Sequence, residues 1–229
     1  MGDDWRTVDK VTDSEGQKFL QSGLEALEEF LEVLEDYEGN KSSWKQQHKV
    51  AESGCVAYAK GAKVGKYFMA ETEFDFDAFL LGKELMENAE AAPEWDDTIT
   101  ECKIVDKISD HCVVLRQVMA EMPLIAGRDM VGVQIDRIIG DSYYIAGKSV
   151  EHEKAPLQPK KVRAIAHVGG MRLSKTEDNK CKVHYLMNVD FKGYLPKFVI
   201  NATLGKETAR LLELLRAHID KTLKAKYAT

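Results

Sequence analysis

Apolar residues recur along this chain with two different periods, and the change falls near residue 44. Over about 13–37, Leu20, Leu24, Leu27, Leu31 and Leu34 return at alternating steps of four and three, with Glu25, Glu28, Glu29, Glu32 and Glu35 around them. That spacing places the leucines on one face of a helix and the carboxylates on another. Ser14 stands where an N-cap belongs, and Gly39-Asn40 supplies a stop. The apolar face must dock, either on the body of the protein or on a partner helix.

Beyond Trp44 the runs shorten and alternate. Segments 44–51, 54–60 and 63–71 are short apolar, aromatic or β-branched stretches between glycine-containing turns, the pattern of a meander. Phe74, Phe76, Phe79, Leu80 and Leu81 then open a second helical section that runs towards Glu90 and stops at Pro93. Further strands are expected over 98–107, 111–120, 128–139, 143–150, 161–174 and 180–190. Hairpin turns fall at Ser109-Asp110 and at 176–179.

The chain closes on a long helical pattern over 195–227. Phe198, Val199, Ala202, Ala209, Leu212, Leu215, Ile219 and Leu223 make an apolar side, and Lys197, Lys206, Arg210, Arg216, Lys221, Lys224 and Lys226 supply cations. Pro196 is tolerable in the first turn, and Gly205 softens the helix locally.

The strands follow one another without the helical crossovers that a parallel sheet requires, so the expected class is α+β with an antiparallel sheet. No repeat, low-complexity tract or polar linker divides the chain, and one domain over 1–229 is the economical reading. A long helix beside a curved sheet can enclose a cavity, and the helix over 195–227 is then a gate that either stays packed or swings aside. Its cations suit transient contact with an acidic membrane surface. The apolar loop 121–126 either closes the core or touches a membrane at the cavity mouth.

Composition narrows the function further. A chain of 229 residues and 25.8 kDa buries roughly 70% of its unfolded surface, enough for a substantial core. The net charge of −6 argues against nucleic acid as a partner. The N-terminus lacks a basic leader followed by an apolar run, and no apolar stretch approaches bilayer length, so a cytoplasmic protein, peripheral at membranes, is expected. Cys55, Cys102, Cys112 and Cys181 are scattered and read as buried thiols. His111, His152, His167, His184 and His218 have no metal-binding spacing, so no metal and no cofactor are expected. Gly54 to Gly65 lacks a phosphate-loop pattern, and no G-x-S-x-G elbow is present. Binding is favoured over catalysis, and no catalytic residue is assigned.

Three short passages carry a family resemblance: Trp95-Asp96 before a strand; Ile125-Ala126-Gly127-Arg128-Asp129-Met130-Val131; and the run from Val189 through Phe191-Lys192-Gly193-Tyr194-Leu195-Pro196 to Asn201. In this order and separation the chain over 44–219 resembles the START lipid-transfer family. The resemblance implies a helix-grip fold, in which a nine-stranded curved antiparallel sheet surrounds the C-terminal helix and a hydrophobic tunnel holds one lipid. It also implies a monomer that meets membranes transiently.

Two departures bear on the ligand. Phosphatidylcholine carriers of the family typically place an Arg four residues before the Asp of the Trp-Asp pair, where this chain has Ala92. Sterol carriers commonly pair an acid with an Arg in the tunnel, and the strand position six beyond Arg128 is Gln134. Gln134 either serves the sheet or meets a lipid hydroxyl or carbonyl, for which it has both donor and acceptor. A sterol is the preferred ligand; a phospholipid, a ceramide or another hydrophobic molecule, and a lipid-sensing role without transfer, are the alternatives. By strand alternation the expected tunnel wall is Met119, Met130, Val133, Gln134, Ile135, Met171, Tyr185 and Met187, with Phe198 and Ala202 from the helix. Trp95, Asp96, Arg128 and Asp129 are expected to hold the structure at the entrance.

Overall fold

The computed structural model describes residues 5–121, 126–178, 180–193 and 197–228, and their side chains except over 197–202. The leucine repeat forms helix α1, Ser14–Gly39. Its cap is Asp13, whose carboxylate accepts from the Gly16 N–H at 2.6 Å; Ser14 is instead the first helical residue.

The strands are β1 Lys45–Lys49, β2 Val56–Gly61, β3 Lys66–Phe74, β4 Ile99–Ser109, β5 Cys112–Met119, β6 Arg128–Ile139, β7 Ser142–Ser149, β8 Val162–Arg163, β9 Ile165–Lys175 and β10 Cys181–Asp190. Helix α2, Ala78–Glu87, lies between β3 and β4. It begins later than the aromatic run suggested: Phe74 ends β3, and Asp77 caps the helix by accepting from Phe79 and Leu80 at 2.9 Å. It also ends earlier, and Pro93 sits in a following 3-10 turn, Ala89–Glu94.

The sheet order is β1-β2-β3-β10-β9-β7-β6-β5-β4, an antiparallel path of nine strands. The two-residue β8 adds a tenth, pairing in parallel with the start of β6, which the expected count of nine did not include. Helix α3, Lys197–His218, continues through a π-helical turn, Ile219–Leu223, and a last turn, Lys224–Lys226.

Both faces of the sheet are covered. On one, Leu27, Phe30 and Leu34 of α1 meet Met69, Val114, Val131, Val133, Ile135, Val168 and Leu186. The apolar face of α1 is thus spent on its own sheet, and Gly23 lets the helix seat directly on Ile135. On the other, Ala209, Leu212, Leu215, Ile219 and Leu223 of the C-terminal helix meet Ala57, Ala70, Phe74, Ile145, Leu173 and Val183. Each face removes several large side chains from water, worth about 1.5–3 kcal/mol apiece.

Candidate ligand-binding site

On the sheet face under the C-terminal helix the middle strands carry their smallest residues. Pairing aligns Ala59, Phe68, Met187, Gly169, Gly147, Gln134 and Val113 in one row across seven strands. In the middle of that row two adjacent strands contribute glycine, so the floor between Met187 and Gln134 carries no side chain over a width of roughly 14 Å. At Gly147 a side chain would press into the Val133 carbonyl, which explains the residue there. Gly169 is different: among the described residues, a Cβ would meet only the Leu186 carbonyl oxygen, at 3.6 Å. The next row is walled by Tyr185, Met171 and Ile145.

Of the expected wall, Met119, Met130, Gln134, Met171, Tyr185 and Met187 have the strand parity of this hollow face, and all six are only half-buried. Val133 and Ile135 do not belong with them. Both are buried against α1 on the opposite face, because their neighbours Met130, Gly132 and Gln134 take the inner positions of β6. The side chains of Phe198 and Ala202 lie outside the described residues.

The polar groups nearest the glycine floor, Gln134, Gln117 and Tyr185, are neutral. Gln134 Nε2 donates to the Met86 sulfur at 3.3 Å, a weak acceptor that leaves most of the amide's capacity unused. Among the described residues the Tyr185 hydroxyl has no hydrogen-bond partner, and burial, assisted by Asp96, pushes its pKa upward. Gln117, not anticipated from the sequence, has the same parity and pairs with Cys102. Its signal was available in its spacing from Leu115 and Met119. The charged inner residue Asp136 is already engaged by the Tyr143 hydroxyl at 2.5 Å.

At the end of the sheet where β6 begins and β10 ends, the Arg128-Asp129 pair splits between two tasks. Arg128 is buried and donates to the carbonyls of Phe191 at 3.1 Å and Lys192 at 3.0 Å, and to that of Ala126. Among the described residues no carboxylate pairs with it, and burial lowers its pKa. Asp129 points the other way, accepting from Arg163 Nε at 2.5 Å and Nη2 at 3.1 Å. The two neighbours thus have separate partners rather than each other. Trp95 stacks on His218 with ring centroids 6.0 Å apart, and Asp96 accepts from the Thr98 amide at 3.0 Å and hydroxyl at 2.6 Å.

The helix cations are less free than the sequence suggested. Arg210 meets Asp97 at 2.5 Å, Arg216 donates to Thr72 Oγ1 at 2.6 Å and Glu73 O at 2.8 Å, Lys224 meets Asp75 at 2.9 Å and Lys226 meets Glu84 at 2.8 Å. The acceptors come from β3, the loop after it, α2 and the segment before β4, so much of the basic side fastens the helix to the body. Loop residues 122–125 and the helix start at Leu195-Pro196 lie outside the described residues.

Among the described residues no three His, Cys, Asp or Glu side chains converge as a metal site. Burial pushes the thiols of Cys55, Cys112 and Cys181 up to about 12 and that of Cys102 to about 11, far from a thiolate at neutral pH. Among the described residues no helix is long and apolar enough to cross a membrane.

An antiparallel sheet gripping a C-terminal helix, with a glycine floor on its inner face, defines the helix-grip class of folds. The START domain family matches residues 24–224, and the chain belongs to that family. It is 30% identical over 208 residues to the mitochondrial steroidogenic acute regulatory protein of Equus caballus, covering 89% of this chain and 72% of that one. The Danio rerio protein of the same name is 30% identical over 204 residues, covering 87% and 70%. Among solved structures, human StAR-related lipid transfer protein 5 superposes with a TM-score of 0.80 at 20% identity, covering 90% of this chain and 98% of that one. Human STARD10 gives 0.75 at 19% identity, covering 97% and 86%. These superpositions establish the shared fold.

Proposed function

We propose that the chain binds one hydrophobic lipid between its sheet and C-terminal helix and transfers it between membranes without chemical change, with a sterol as the preferred cargo. The observation that carries the reading is the side-chain-free floor around Gly147 and Gly169, bounded by Met187 and Gln134. A rigid apolar body fits a bare floor, and one hydroxyl satisfies the spare capacity of Gln134 or Tyr185 without an ionic partner. Burying roughly 400 Å² of hydrocarbon contributes on the order of 10 kcal/mol before motional and polar costs. Relatives named for steroidogenesis and for lipid transfer support the same direction.

The carrier acts as a monomer in the cytoplasm and touches membranes transiently during exchange. The test is mass spectrometry of lipids extracted from natively purified protein, followed by stoichiometric rebinding and donor-to-acceptor vesicle transfer. A sterol recovered and transferred is the expected result. Recovery of phospholipids alone overturns the sterol preference, and binding without accelerated transfer makes the chain a lipid sensor.

A further inference from the structure

The turn that feeds the C-terminal helix is strained and is held by two side chains: Asp190 accepts from the Lys192 N–H at 2.9 Å, and Arg128 reaches the carbonyls of the turn. Lys192 and Gly193 both sit at positive φ, 49° and 71°, the left-handed region that favours glycine. The carbonyls of Phe191 and Lys192 within this turn face inward and accept from Arg128. The same guanidinium bonds Ala126, on the chain leading into β6, and a Cβ at Gly193 would lie 3.4 Å from Arg128 Nη2. Around it, Val162 N–H donates to Gly127 O at 3.0 Å and Ala164 N–H to Asp129 O at 2.9 Å. Three chain segments thus meet on one dipeptide.

We propose that Arg128 is the latch of the gate: its guanidinium holds the 191–193 turn to the 126–127 segment and so sets how fast the C-terminal helix admits and releases lipid. The proposal rests on the lipid-carrier reading and adds the residue that regulates it. Arg128 is a positioning residue, because each of its three nitrogens donates to a backbone carbonyl. Carbonyl acceptors suit a latch. A guanidinium held by carbonyl dipoles keeps directed geometry without the second full charge that makes a buried ion pair costly to break. At the opposite end of the helix carboxylates take this part: Lys226 and Tyr227 both donate to Glu84, at 2.8 Å and 2.6 Å, and Lys224 to Asp75. One end is anchored by carboxylates and the other is latched by carbonyls.

The experiment follows release of a preloaded fluorescent sterol, dehydroergosterol, from the full chain to phosphatidylcholine vesicles, for wild type, Arg128→Lys and Arg128→Gln. Loss of one net charge-assisted bond from the closed state raises release roughly ten-fold in Arg128→Gln, and association rises by a similar factor so that Kd moves less than about three-fold. Arg128→Lys, a point donor that cannot fork to three carbonyls, falls between. Unchanged release in a folded variant overturns the latch. A release increase with unchanged association also overturns it, because Arg128 would then be a ligand contact. Should Arg128→Gln fail to fold, Gly193→Ala, which strains the acceptor turn and leaves the guanidinium in place, must show the same acceleration. Amide exchange over 191–193 in lipid-free wild type and variant needs no cargo: faster exchange in the variant supports the latch even if no sterol binds, and equal exchange sinks it even if transfer is real.

Discussion

Replacing Gly169 by valine should make the protein more stable and a poorer binder at once. Among the described residues the new Cβ meets only the Leu186 carbonyl oxygen at 3.6 Å, an ordinary contact, and Gly169 is not among the glycines at positive φ. Removing a glycine from a strand interior recovers about 0.5–1 kcal/mol of chain entropy, and a β-branched residue suits the strand. For a chain of this size that raises the midpoint of delipidated protein by about 1–4 °C. The same methyl groups stand on the bare floor. Displacing about 80–100 Å² of ligand contact costs about 2–2.5 kcal/mol, a weakening of roughly 30–70-fold in Kd. Thermal unfolding by circular dichroism and dehydroergosterol titration read the two effects separately. Gly147→Val is the control and should lose stability, since its side chain presses into the Val133 carbonyl. A folded Gly169→Val protein that binds sterol within two-fold of wild type would refute the argument that this floor is ligand space.

Other outcomes follow from residues away from the hollow. Ile135→Ala should cost about 2–5 kcal/mol in denaturant unfolding with sterol affinity unchanged, because Ile135 packs on α1; a selective loss of affinity would return it to the wall. Arg137 and Asp9 form an ion pair with both side chains only 1% exposed, and Arg137 Nε also donates to Trp5 O at 2.6 Å, so Arg137→Met should cost about 3–5 kcal/mol; a loss under about 1 kcal/mol refutes this. Burial holds the pKa of His184 and of His218 below the ordinary histidine value, so their contribution to stability is complete above about pH 6.5 and is lost as pH falls through it. Glu71 adds a second acid phase: burial raises its carboxyl, but hydrogen bonds from His184 and Lys41 outweigh this and hold it at about 2, so its contribution disappears between the usual 4.5 and that value. Denaturant midpoints from pH 8 to 3 should show both phases, and His184→Gln should flatten the first; an unaltered first phase in that variant counts against a role for His184.

The strands were legible because β-branched and aromatic runs between glycine turns leave little choice of element. Their facing was harder. In Met130-Val131-Gly132-Val133-Gln134-Ile135 every position is compatible with burial, and the sheet is in fact buried on both sides. The available cue was size: bulky branched residues alternate with glycine and glutamine, and the slighter set marks the hollow. Arg128 could be singled out but its partners could not be read, since backbone carbonyls carry no sequence identity. The tethering of Arg210 by Asp97 and of Lys226 by Glu84 joins residues more than a hundred positions apart, so the basic helix side looked freer than it is.

Because β6 turns Val131, Val133 and Ile135 towards α1 and Met130, Gly132 and Gln134 to the other face, the sheet works as a partition wall with two surfaces. Substitutions on the cargo side can reshape what the protein carries while the helix-bearing side keeps the molecule folded. Neighbouring codons in one strand therefore answer to different demands, and a new cargo preference can evolve without first acquiring a reserve of stability.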